Sequence, residues 1–119
     1  MSPAHNKSES VSEALDALDR GEEPQRPVLR DAVRALLTEL SQRAPGRSVE
    51  VRIPPFGAIQ CVPGPRHTRG TPPNVVETDP VTWLLVATGR VDWNEALRDG
   101  RLRASGIRTD LSEYLPLSG

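Results

Sequence analysis

The sequence is poor in the residues from which many sites are built. Its 119 residues include one cysteine, two histidines, one lysine and only 3% aromatics. A single cysteine, Cys61, excludes an intramolecular disulfide and a zinc site built on several cysteines of one chain. With so few aromatic rings there is no ladder of stacking platforms for single-stranded nucleic acid. The formal net charge is −1, which gives no general attraction to nucleic acid or to anionic membranes. No apolar run approaches the ~18 residues that a bilayer span needs. Met1 to Ser12 contains no apolar stretch of the secretory kind, and Pro116-Leu117-Ser118-Gly119 is not a peroxisomal address. The expected location is the cytoplasm.

What remains is an aliphatic chain with 36% hydrophobic residues. That length and content suit one domain, with a core of Leu, Val, Ile and Ala. All basic residues but Lys7 are arginine, a skew that fits a GC-rich coding sequence. Residues 1–10 are polar and are expected to be a disordered tail, with a single domain over 11–119. Ser12 is the expected cap of a first helix carrying Val11, Leu15 and Leu18, which stops near Gly21. A longer helix follows Pro27, with Leu29, Val33, Leu36, Leu37 and Leu40 on one side. Pro45-Gly46 ends it.

The period then changes to two. Val49, Val51 and Ile53 alternate with Ser48, Glu50 and Arg52, and Ala58 to Val62 forms a second run, so a hairpin is expected. Residues 63–74 hold four prolines and two glycines, and a stretch like this reads as a long loop. Val75-Val76-Glu77 is a short strand. Asp79-Pro80 caps and starts a helix with Val81, Leu84 and Leu85 on its apolar side, and Gly89 closes it. Asp92 with Glu95 forms a capping box for a short helix ending at Gly100. Arg101 to Ser105 alternates again, and Asp110 to Leu115 makes a last helical turn with Leu111, Tyr114 and Leu115 inward. The fold class is α+β: a small mixed sheet with helices packed on one face.

The run Asp79-Pro80-Val81-Thr82-Trp83-Leu84-Leu85-Val86-Ala87-Thr88-Gly89-Arg90, then Asp92-Trp93-Asn94-Glu95-Ala96-Leu97 and Gly100-Arg101-Leu102-Arg103-Ala104-Ser105-Gly106, resembles the sterol-carrier-protein type-2 domain. The match extends over residues 75–117. Through Val51-Arg52-Ile53-Pro54-Pro55-Phe56 and Gly64 to Asn74, the chain is also similar to short stand-alone sterol carrier family proteins of actinobacteria. The resemblance implies about five strands and an apolar tunnel between sheet and helices for acyl chains or sterols. It also implies a kinship with the C-terminal domain of thiol-dependent isomerases, where this domain is not the metal site. The Pro-rich 63–74 loop departs from the family's simpler strand connection.

The expected function is therefore non-catalytic binding of a lipid, acyl or other apolar small molecule. The residues expected to line the gap are Val51, Ile59, Cys61, Val76, Leu84, Leu85 and Leu97, which are equally suited to be plain core. Arg66, His67, Arg69 and Asn74 form a basic loop suited to an anionic head group or a protein partner. The alternative to a binder is a protein–protein accessory module using that loop, and the other assignment for Arg66 and Arg69 is pairing with Glu77, Asp79 or Asp92. A Cys61–His67 nucleophile–base pair is the enzymatic alternative. Against it, an apolar strand raises a thiol's pKa, and nothing in the sequence supplies an orienting acid or oxyanion donors. No metal, cofactor or nucleic-acid partner is expected, and no membrane insertion. Trp83 and Trp93 suit either core packing or a pocket wall.

Overall fold

A computed structural model describes residues 7–64, 74–107 and 109–117. The first helix, α1 (Lys7–Asp19), begins ahead of the expected Ser12 cap, and Ser12 is an exposed mid-helix residue. The reason is a seam of small side chains. Ser10, Val11, Ala14 and Ala17 are all buried, at the three- and four-residue spacing of one helix face, and they let α1 lie close against α2. A search for large apolar residues does not see such a seam. The tail expected over residues 1–10 is thus helical from Lys7 onward.

Helix α2 (Arg26–Arg43) starts with Pro27 in its first turn, where the missing N–H is not needed. It buries Val33, Leu36, Leu37 and Leu40 together with Ala32 and Ala35. The strands are β1 (Val49–Ile53), β2 (Gly57–Cys61), β3 (Asn74–Thr78) and β4 (Leu102–Ser105), in the order β2-β1-β3-β4. β1 pairs antiparallel with β2 and parallel with β3, and β3 pairs antiparallel with β4. Among the described residues the sheet has four strands, one at each of the four runs that read as strands, against the five or so that the resemblance implied.

The registers define two faces. Val49, Val51, Ile53, Cys61, Val76, Thr78 and Leu102 share one face, and all are buried against the helices. The other face carries Glu50, Arg52, Gln60, Glu77 and Arg103. Arg52 pairs there with Glu50 at 2.9 Å and Arg103 with Glu77 at 3.2 Å. Exposed pairs of this kind contribute at most about 1 kcal/mol each, so this face is solvated surface.

Helix α3 (Pro80–Ala87) is apolar on nearly all sides, the pattern of a helix enclosed by its neighbours. Asp79 caps it, accepting from the Thr82 N–H and from the Thr82 hydroxyl. Trp83 has no exposed surface, and its indole N–H donates to the Val33 carbonyl of α2 at 3.3 Å. Helix α4 (Trp93–Arg98) follows, capped by Asp92. The chain closes with a short 3-10 turn (Ser112–Tyr114) and a segment that returns to α3. There the Leu117 N–H donates to the Ala87 carbonyl at 2.7 Å. Arg43 of α2 donates to the carbonyls of Tyr114 and Pro116.

The exit of β2 crosses the link between α2 and β1 at very close range. The Val62 N–H donates to the Ala44 carbonyl at 2.6 Å, while the Ser48 N–H and hydroxyl both donate to the Val62 carbonyl. Gly46 sits beneath this crossing with φ +151°, and a Cβ there would overlap the Val62 carbonyl. Gly46→Ala is expected to destabilise the fold by about 1–3 kcal/mol, the range for overpacking that forces a backbone shift. Urea unfolding of both proteins checks it, and an unchanged midpoint would refute the close crossing.

Candidate functional site

The seven residues expected to line a gap are distributed as follows. Val51 and Val76 are register partners on adjacent parallel strands, and Ile59 stands opposite Val51 on β2. Cys61 stands opposite Val49. Val51, Cys61, Val76 and Leu84 are buried in one contiguous cluster, with Ile59 and Leu97 packed half-buried against it. Leu85 is half-buried and outside that cluster. Trp83 and the leucines of α2 belong to the same cluster.

Of the expected loop site, Arg66, His67 and Arg69 lie outside the described residues. Asn74 opens β3 and is only 3% exposed, with its side-chain amide donating to the Ser48 carbonyl at 2.8 Å. Its amide therefore ties β3 to the start of β1 rather than facing outward. Cys61 and Asn74 both stand beside Val49, on its two sides. The ends of the connection between them are thus about two strand spacings, roughly 10 Å, apart. The acids considered as anchors for the loop have other work: Glu77 receives Arg103, and Asp79 and Asp92 cap helices.

Cys61 has no exposed surface, and burial pushes its thiol up to about 11. A nucleophilic cysteine needs the opposite shift, so this thiol behaves as a small apolar group.

The clefts lined by described residues include three of note. Two lie along the charged side of the sheet. One of about 440 Å³ has Pro54, Glu77, Asp79 and Arg101 in its wall. Another of about 370 Å³ has Arg52, Val75, Glu77 and Arg103. Both are open, and both have charged side chains in their walls. The third, about 190 Å³, lies where the end of α3, the start of α4 and the closing segment meet. Val86, Val91, Trp93, Leu115 and Pro116 make most of its wall, with Gly89, Asp92 and Ser112 completing it. None of the three is lined by the seven expected residues.

The third cleft is apolar because of how its elements end. Gly89, at φ +82°, turns the chain sharply after α3 and brings Val91 back beside Val86. Asp92 then starts α4, which places Trp93 at the first helical position with its ring turned inward and only 3% exposed. The Ser112 hydroxyl, and with it the Ser112 N–H at 2.9 Å, donates to Asp110 and holds its carboxyl below the usual range. That contact sets the 3-10 turn from which Leu115 reaches the cleft. Sequence reading marked Trp93 as a pocket wall or core edge. It did not see Val86, Val91 and Leu115 beside it, because only the turn at Gly89 and the return of the closing segment bring them together.

A family model described as a bacterial SCP ortholog matches residues 25–117, from the start of α2 to the closing segment. No curated protein matches the chain.

The raised thiol pKa of Cys61 has a consequence for stability. Unfolded, the thiol ionises near 9; folded, it holds its proton to about 11. Between these values the unfolded state binds fewer protons, so stability is full below about 9 and falls as pH rises. The phenol of Tyr114 is also pushed up, by burial, by Glu113 and by Cys61, so the thiol's share is read as a difference. Wild type is expected to lose roughly 2 kcal/mol more than Cys61→Ala between about pH 8 and about pH 10.5. Parallel curves in chemical unfolding would contradict it.

Proposed function

The chain belongs to the bacterial SCP ortholog family, that is, to the sterol-carrier-protein-like proteins, and from that membership we propose that it holds an apolar small molecule and releases it unchanged. The observation that carries the reading is the third cleft, an apolar opening at the edge of the helical layer whose wall includes the core residues Val86 and Trp93. A volume of about 190 Å³ is below the ~300–1,000 Å³ of pockets that enclose a whole drug-sized ligand. It suits one end of a molecule. The remainder has to lie along the layer between helices and sheet, where Leu84, Leu85 and Leu97 stand on the helical side and Val51, Ile59, Cys61 and Val76 on the strands. Those seven residues are proposed as the wall met by a tail when α3 and α4 move away from the sheet.

The driving force is transfer of apolar surface out of water, about 0.8 kcal/mol per methylene. Non-catalytic action is part of the same proposal, and the buried, protonated thiol of Cys61 supports it.

Two results are expected. Displacement of a neutral solvatochromic dye by a set of fatty acids and their methyl esters gives saturable, one-to-one binding, with affinity rising about 4-fold per methylene up to a plateau. Leu84→Ala lowers stability by about 3 kcal/mol and moves that plateau to longer chains, because it leaves room between the layers. If no compound displaces the dye, and native mass spectrometry of protein from its own host shows no bound small molecule, the carrier reading fails.

A further inference from the structure

β4 is an end strand of the sheet: β3 lies on one side of it, and no described strand lies on the other. Alternate residues of an antiparallel strand turn their N–H and C=O groups to opposite sides. Half of the backbone groups of β4 therefore point away from β3. Leu102 is buried, but Arg103, Ala104, Ser105, Gly106 and Ile107 are all exposed, so the edge is open past Leu102. Ile107 is 95% exposed, and among the described residues it is the large apolar side chain that stands in water.

Natural edges are protected by proline, by a bulge, by a covering segment or by charge. β4 contains no proline, and it pairs with β3 over four consecutive residues without a bulge. Its protection is charge. The registers build one row across the outward face, with Arg52 on β1, Glu77 on β3 and Arg103 on β4. Signs alternate along this row, and it ends on a cation. Arg103 reaches Glu77 through one nitrogen at 3.2 Å, and its side chain is 79% exposed. Most of the five donors of its guanidinium are left for a further acceptor. Arg101, just ahead of the strand, shares a cleft wall with Arg103. From Gly100 to Thr109 the sequence holds three arginines and no acid. The other end strand, β2, carries no charged residue at all.

We propose that β4 is a docking edge, to which an acidic, extended segment of a partner protein adds as a further strand. The backbone of that segment supplies the ladder bonds, and its acids make the edge selective. A residue set opposite Arg103 stands roughly 5 Å from it, Cα to Cα, on the side away from Glu77. With a carboxylate there, Arg103 lies between two acids and the alternation of sign continues. A second copy of β4 is a poor occupant, because it brings its own arginines against these, and like charges across a ladder repel. β4 contributes nothing to the wall of the apolar cleft, so the proposal is independent of the carrier reading.

The probe is a short peptide, blocked at both ends, that alternates valine with glutamate; its counterpart alternates valine with lysine. In isotope-labelled protein the acidic peptide is expected to bind saturably, to shift the backbone amides of Arg103, Ala104 and Ser105, and to slow hydrogen exchange at those facing the free edge. The lysine peptide binds at least about 10-fold more weakly, because favourable cross-strand pairs become unfavourable ones. An acidic peptide methylated on every backbone nitrogen keeps its charge and loses its donors, and it is expected not to bind. Arg101→Glu with Arg103→Glu, both at exposed positions, reverses the preference between the two peptides without moving the urea midpoint by more than about 1 kcal/mol in stability.

Equal binding of the two peptides overturns the acidic class. A methylated peptide that binds as tightly as its parent rules out strand addition. Shifts confined to β2 put the peptide on the wrong edge and sink the site. Protection of the β4 amides without peptide, rising with protein concentration, gives the edge to a second copy and removes the partner. No saturable binding of the acidic peptide below about 1 mM overturns the proposal as a whole.

Discussion

The burial of Trp83 organises the helical layer. A tryptophan ring removes some 150–250 Å² from water, and this one does so with no exposed surface. At about 25 cal/mol per Å² that burial is worth roughly 4–6 kcal/mol as an upper bound. It requires that α3 be enclosed by its neighbours, α2 among them, and the indole bond to Val33 fixes the orientation. Because α3 is held this way, its two ends are set. Asp79 closes the first, and the closing segment closes the second through Leu117 and Ala87. Arg43 holds that segment from α2. The cleft beside Val86 exists where these constraints stop, at the turn of Gly89.

The sheet contributes an apolar wall on one side only. Alternation along β1 and β3 puts Val49, Val51, Ile53 and Val76 inward and charges outward, and the outward charges pair across and along the strands. Cys61 belongs to the inward set, and its burial keeps the thiol protonated. The two larger clefts lie on the charged side. The apolar one lies at the junction of α3, α4 and the closing segment. The larger two carry several charged side chains, and the third carries only Asp92.

Elements with a strong period or a strong cap were legible in the sequence. The alternation of Val49, Val51 and Ile53 located β1, and Asp79-Pro80 and Asp92 located the starts of α3 and α4. The family was legible through the 79–106 run, and the match over 25–117 agrees. The start of α1 was not, because its packing face uses Ser10, Ala14 and Ala17, whose small side chains carry little hydropathy signal. Asn74 was read with the loop before it, although its amide belongs to the core. The cleft was illegible for a different reason. Its walls come from two stretches, 86–93 and 112–116, that only the fold brings together. Leu84 and Val76 were picked as inward-facing and are buried; whether an inward position lines a ligand or only a core depends on room between the layers.

The central proposal is that an apolar molecule is held at the edge of the helical layer, in the cleft of Val86, Val91 and Leu115. Intermolecular nuclear Overhauser effects between methyl octanoate and the protein's methyl groups test it most directly. The account predicts cross-peaks to Val86, Val91 and Leu115. Cross-peaks confined to Val51, Val76 and Leu84, with none at those three, would contradict it.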